Sequence, residues 1–164
     1  AFVLNPNRID LNTSFTYKIP LNPAPAANPR PTAVGSIGVA LNGVSFYNQY
    51  AGQDNRPLTE EINSFDQYNG QPQRVGEYHY HIEPTYLTQN HGNNVLLGFL
   101  LDGFPVYGPF ENGARVVNSL LDEYHGHEHV TADYPEGIYH YHITDADPYI
   151  NGSGYYGTAG TVTR

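Results

Sequence analysis

Seventeen glycines and thirteen prolines punctuate a chain of 164 residues, leaving few uninterrupted stretches long enough for a helix of several turns. Glycine ends regular structure through excess backbone freedom, proline through a fixed φ and a missing N–H donor. The pieces between them are short and apolar, as in Ile37 to Val44 and Val95 to Leu101, each bounded by Gly, Asn or Pro. Such runs read as buried strands. The sequence therefore predicts an all-β or mainly β, sandwich-like single domain with a short helix and long loops, large enough to bury a core. The three-to-four spacing of Val116, Val117, Leu120 and Leu121 places the helix at about 114–124, and 58–65 offers a further helical turn.

Toward the N-terminus, Phe2 and Leu4, Ile9 and Leu11, and then Phe15, Tyr17 and Ile19 keep a broken alternation that predicts one or two early strands. Pro20, Pro23, Pro25, Pro29 and Pro31 follow and stiffen the chain into an extended connector. Residues 1–32 thus form a strand-like arm with a Pro-rich spacer, and 33–164 the body. Two readings of the spacer stand side by side: a surface loop that closes the domain, or a reach that lets the arm pair with the sheet edge of another copy.

Charge and composition remove whole classes of function. A formal charge of −9 with only seven Lys plus Arg repels phosphate backbones and anionic bilayers, which argues against a nucleic-acid partner. No run approaches the roughly 18 to 20 apolar residues that cross a membrane, so no insertion is expected. With no Cys, neither a disulfide nor a thiolate site can form, and any metal must be held by imidazole, carboxylate or carbonyl oxygen. The chain opens on Ala and contains no Met, which fits removal of a signal peptide and an extracellular or cell-surface location.

The chemistry concentrates in histidine. Gly76-Glu77-Tyr78-His79-Tyr80-His81-Ile82 is echoed by Gly137-Ile138-Tyr139-His140-Tyr141-His142-Ile143. On a strand, residues two apart share a face, so each copy turns two imidazoles one way and its tyrosines into the core. If the copies pair or face each other, four imidazoles converge in a manner suited to Cu(II), Zn(II) or Ni(II). A third cluster, His125, His127 and His129, can add three nitrogens from an extended segment. The candidate ligands are therefore His79, His81, His125, His127, His129, His140 and His142, with copper or zinc as the expected cofactor. His91 stands apart and is assigned to solvent. Asp102, Asp122 and Glu123 are candidates to accept a ligand ring N–H and fix its tautomer, although Asp102 beside Gly103 also reads as a plain turn former.

These residues carry a family resemblance. Val39 to Val44, both Tyr-His-Tyr-His copies, Gly98 to Pro109, and Leu121 to Glu123 running into Gly126-His127 resemble the YHYH-domain family over roughly residues 33–157. The resemblance implies an extracytoplasmic β-rich domain and names no reaction. It also implies a bridge near Tyr124 and the C-terminal Tyr-Gly in many members, for which this chain has no cysteines.

Three functions remain open. The first is an extracellular noncatalytic metal-binding or structural protein, self-associating into a filament or matrix through its arm. The second is a secreted metal-dependent enzyme with Glu128 or Glu123 as base; no His-Glu-x-x-His motif, nucleophile elbow or phosphate loop specifies its reaction. The third is a carbohydrate-binding module for a surface polysaccharide, which requires Tyr47, Tyr50, Tyr86, Tyr155 and Tyr156 to form one exposed strip.

Overall fold

The computed structural model describes residues 1–52 and 54–164. Among these the chain is mainly β, with strands of two to five residues, as its Gly/Pro punctuation requires. In order they are β1 (Thr16–Lys18), β2 (Gly38–Ala40), β3 (Ser45–Phe46), β4 (Tyr50–Ala51), β5 (Arg56–Pro57), β6 (Gly70–Pro72) and β7 (Tyr78–Tyr80). The helix α1 (Thr85–His91) follows. The second half carries β8 (Leu96–Leu100), β9 (Pro105–Tyr107), β10 (Phe110–Glu111), β11 (Ala114–Arg115), β12 (Gly126–His129), β13 (Ile138–His142) and β14 (Thr161–Thr163).

Eight strands form one mixed sheet in the order β12-β13-β9-β8-β2-β3-β7-β6. From its centre outward, β2, β3, β7 and β6 on one side match β8, β9, β13 and β12 on the other, so the sheet is an internal duplication about a pseudo-twofold axis. The β2–β8 ladder is antiparallel, with Gly38 opposite Leu100, Val39 opposite Phe99 and Ala40 opposite Gly98. The Tyr-His-Tyr-His strands sit next to the edges, β7 parallel to β3 and β13 parallel to β9. Alternation along β7 and β13 sends Tyr80, Tyr139 and Tyr141 into a core with Phe46, Leu97 and Leu100. The histidines take the opposite face.

Two local expectations are corrected, one in the helix assignment and one in the arm. Residues 114–124 are not an α-helix: Asn112 and Gly113, both at positive φ, turn β10 back as β11, and only Asn118–Leu120 makes a 3-10 turn. The apolar spacing there does not define a buried face, since Val116 is buried while Val117 and Leu120 are exposed. Among the described residues the one α-helix lies at 85–91, entered from Pro84 and left through Gly92 at φ 104°, the helix punctuation that this segment displays and that an apolar stripe did not reveal. His91 is its last residue and is exposed. The turn expected at 58–65 is present as a 3-10 helix at Glu61–Ser64.

In the arm, Phe2, Leu4, Ile9 and Leu11 are exposed and form no strand. Only β1 does, pairing within the chain with β14. The spacer runs along the C-terminal segment, with Pro25 bridged to Gly157 and Ala26 N–H donating to Tyr156.

Candidate metal centre

The second Tyr-His-Tyr-His copy builds a four-group cluster. The β12–β13 register sets His127 opposite His140, and His142 follows two residues on. The Asn112-Gly113 hairpin carries Glu111 to the same place. Its Oε2 lies 3.0 Å from His140 Nε2, 2.8 Å from His142 Nε2 and 3.3 Å from His127 Nε2. The Nε2 atoms of His140 and His142 are 3.1 Å apart. Both rings are buried, whereas Glu111 is one-fifth exposed.

Hydrogen-bond accounting shows which lone pairs this cluster presents. His140 Nδ1 lies 2.8 Å from the Ile138 carbonyl, and His142 Nδ1 lies 2.8 Å from the Gly108 carbonyl. A carbonyl only accepts, so each Nδ1 carries the proton and, in a neutral ring, each Nε2 presents a lone pair. Burial is the main force on both rings and lowers their proton affinity, which favours the neutral form. Burial pushes Glu111 up, but a proton on the neighbouring rings lets His140 and His142 donate to it and adds imidazolium charge, which together hold the carboxyl down at about 2. With the rings neutral, the Nε2 lone pairs of His140 and His142 and the Glu111 carboxylate thus converge as acceptors, with His127 Nε2 alongside, an arrangement that repels itself until a cation or extra protons stand between them. Imidazole with carboxylate is a donor set for zinc, copper or nickel.

The first copy repeats the frame with different groups. His79 Nδ1 lies 3.0 Å from the Glu77 carbonyl and His81 Nδ1 2.6 Å from that of Asn48, reproducing the pattern of His140 and His142. Burial is the largest cause lowering His79, to about 3, and it lowers His81 as well. Tyr47 stacks on His79 at 3.8 Å. Glu61 is the third ligand-capable group, 4.0 Å from His81 Nε2. The copies lie on opposite halves of the sheet, so four imidazoles from the two motifs do not form one site: β9, β8, β2 and β3 separate them.

The third cluster divides. His127 joins the centre. His125 occupies a turn at φ 78°, buried, with Nδ1 on the Ile150 carbonyl and Nε2 between Asn118 and Thr144. It is a structural residue, and burial depresses its pKa to about 4. His129 lies at the rim, its Nδ1 2.9 Å from the Val130 carbonyl and 3.6 Å from Glu111 Oε1.

Nor do the expected supporting carboxylates touch imidazoles. Asp102 Oδ2 accepts from the Tyr141 hydroxyl at 2.6 Å and from Gly157 N–H, while its Oδ1 caps its own turn at Phe104. Asp122 accepts from the Tyr139 hydroxyl and from Gly126 N–H. Backbone carbonyls hold the ring N–H groups instead, because a histidine on a strand finds one at i−2 or on the adjoining chain. Glu123 and Glu128 are exposed and outside the cluster.

Two residues of these sites were not singled out in the sequence. Glu111 and Glu61 stand far from the histidines along the chain and carry no motif. The duplication, by contrast, left a readable trace: Leu41-Asn42-Gly43 matches Leu101-Asp102-Gly103, and Asp66-x-Tyr68-x-Gly70 matches Asp122-x-Tyr124-x-Gly126. Those tyrosines offered as stacking platforms do not form one exposed strip, since Tyr47 and Tyr155 are buried.

A cleft of about 740 Å³ opens beside the second centre, with Glu111 and His142 in its wall alongside Leu41, Leu87, Tyr107 and Val130. In comparisons with known proteins, the chain matches the family described as YHYH protein over residues 16–119 and 110–154. No curated protein and no solved structure matches it.

Proposed function

This chain belongs to the YHYH family, and from the acceptor cluster in its second half we propose that it is an extracellular metal-binding protein holding one copper or zinc ion through His127, His140, His142 and Glu111. The observation that carries this reading is the pair of Nε2 lone pairs 3.1 Å apart, facing an ionised carboxylate. Proteins rarely bury like acceptors against one another without a cation or proton between them. Metal analysis of the purified protein, with and without His140→Phe and His142→Phe together, tests the reading. About one copper or zinc per chain, lost in the double variant, is expected; metal-free native protein that takes up neither ion on reconstitution sinks it.

A structural role with self-association through the arm is part of the same proposal. Its support is the exposure of Phe2, Val3, Leu4, Ile9 and Leu11, an apolar set on one short segment. Since β1 pairs with β14 in the same chain, assembly by strand donation requires exchange of that pairing. Light scattering of the full chain against a variant lacking residues 1–12 decides it: loss of assembly is expected, and identical size overturns it.

The cleft against Glu111 and His142 supports catalysis as a second reading. Structural metal sites are closed, and catalytic ones keep a position open. Azide added to the Cu(II)-loaded protein separates them: a changed electron paramagnetic resonance spectrum favours an open site, and an unchanged one a structural ion.

A further inference from the structure

We propose that the first copy of the duplicated centre is a dormant metal site, converted by Gln71 into the seat of the N-terminal arm. The inference rests on the reading of the second copy as a metal centre.

Register assigns the key residue. In β6–β7, Gln71 stands opposite His79, with Gly70 opposite Tyr80; in β12–β13, His127 stands opposite His140, with Gly126 opposite Tyr141. Gln71 therefore occupies the place of the third imidazole. The turns leading in are also the same. Asp66 accepts from Gly70 N–H and the Tyr78 hydroxyl, as Asp122 does from Gly126 N–H and the Tyr139 hydroxyl.

This replacement changes the chemistry at every group. A neutral amide oxygen is a poor ligand for copper or zinc compared with imidazole. Gln71 is buried and bonded at both ends of its amide: its Nε2 donates to Glu61, and its Oε1 accepts from the Ser64 hydroxyl at 2.9 Å and from Asn5 Nδ2 at 3.0 Å. Glu61 is thereby held by an amide donor and stays 4.0 Å from His81 Nε2, where Glu111 closes to 2.8–3.3 Å on three imidazoles. The amide gives Glu61 a proton that neutral His140 and His142, protonated at Nδ1, do not give Glu111.

The arm completes the conversion. Asn5 Nδ2 also donates to the Pro72 carbonyl at 3.2 Å, Asn7 Nδ2 to the same carbonyl at 3.3 Å, and Val3 N–H to the Asn63 carbonyl at 2.9 Å. These bonds lay residues 3–7 along the mouth of the first copy. The family match begins at residue 16, so the covering segment lies outside the part of the chain that matches the family.

The test is zinc stoichiometry of the full chain by native mass spectrometry after chelation and reloading with Zn(II), with circular dichroism to confirm folding. Wild type and His79→Phe should each hold one zinc, Gln71→His two, and Gln71→His with His79→Phe one. Trypsin provides an independent readout at exposed Arg8, where Gln71→His and Asn5→Ala should speed cleavage severalfold. Two zincs in wild type, one of them lost in His79→Phe, overturn dormancy while leaving the second centre standing. Folded Gln71→His that still holds one zinc overturns the role of Gln71. No zinc in wild type removes the second-copy reading instead. If Gln71→His does not fold, the wild-type count and cleavage of Asn5→Ala decide, unchanged cleavage sinking the seat.

Discussion

Val39 faces Phe99 at the middle of the β2–β8 ladder, and each is the other's counterpart in the duplication. The pairs on either side, Gly38 with Leu100 and Ala40 with Gly98, exchange roles about that point. A pseudo-twofold axis therefore passes through the centre of the eight-stranded sheet, and every difference between the halves is a substitution within a shared frame. Asn42 and Asp102 illustrate this. Both cap their own turns, at Val44 and Phe104, and both hydrogen-bond the second tyrosine of the nearer motif, Tyr80 or Tyr141. The frame needs the hydrogen bond, while neutral amide or buried carboxylate is free to vary. By the same logic, Gln71 and His127 share a backbone position but not a chemistry.

Removing the carboxylate of the second centre should weaken metal binding without unfolding the chain. Glu111→Gln keeps the shape and replaces an ionised ligand by a neutral amide, imitating what Gln71 brings to the first copy. Zinc affinity, measured by competition with a chromophoric chelator, should fall by about tenfold or more, in line with the effect of losing a group that supports metal binding. Unchanged affinity would remove Glu111 from the donor set.

The mainly β class was legible because punctuation by Gly and Pro acts locally, and the alternation of Tyr and His in β7 and β13 told correctly which side chains enter the core. The grouping of histidines was legible only in part. Adjacency in sequence placed His125 and His129 with His127, but the positive φ at His125 turns its ring toward Asn118 and Thr144. The carboxylates were hidden because hairpin and 3-10 geometry delivers them from a distance: Glu111 reaches His140 across 29 positions. Strand order also decides whether two like motifs meet, and here four strands intervene, a long-range pairing that periodicity does not encode.

Tyr141→Phe should cost more stability than Tyr80→Phe, although the two are counterparts. The Tyr141 hydroxyl donates to buried Asp102 at 2.6 Å and accepts from Tyr156 N–H at 2.8 Å. Its loss strips partners from a buried carboxylate and an amide, at about 1–3 kcal/mol. Among the described residues the Tyr80 hydroxyl meets only the Asn42 amide, at 3.2 Å, and its loss should cost about 1 kcal/mol or less. Urea denaturation of the metal-free variants checks the order, and equal losses would show that the halves are energetically equivalent here.

Gly98→Ala should destabilise the sheet at its axis. A Cβ at residue 98 would meet the Val39 carbonyl, Ala40 Cα and the Phe46 ring, two of them backbone groups that cannot swing aside. Overpacking of this kind costs about 1–3 kcal/mol. Gly113→Ala faces open space and strains only the backbone at φ 79°, so its cost should be smaller and confined to the β10–β11 hairpin. Thermal melts of both variants make the comparison; an equal or larger loss at Gly113 would contradict it.

The metal-free protein should lose stability as pH falls from 7 to 5. His79 and His125 are held by burial at about 3 and about 4, against 6.5 in an unfolded chain. Between those values the unfolded state binds protons that the folded state refuses, so stability rises with pH across the window and is lost as pH falls through it. Each ring should contribute a loss on the order of 2 kcal/mol by pH 5. Glu111 acts lower: its carboxyl is held at about 2, against 4.5 for the free group, so its contribution disappears only as pH falls below 4.5. Urea titrations at pH 7 and pH 5 with chelator present measure the difference, and His125→Gln should reduce it by the share of that ring, leaving that of His79, since an amide at that site can still bond Asn118 and Thr144 but does not titrate. A pH 5 stability equal to that at pH 7 would mean that the buried rings accept protons in the folded state.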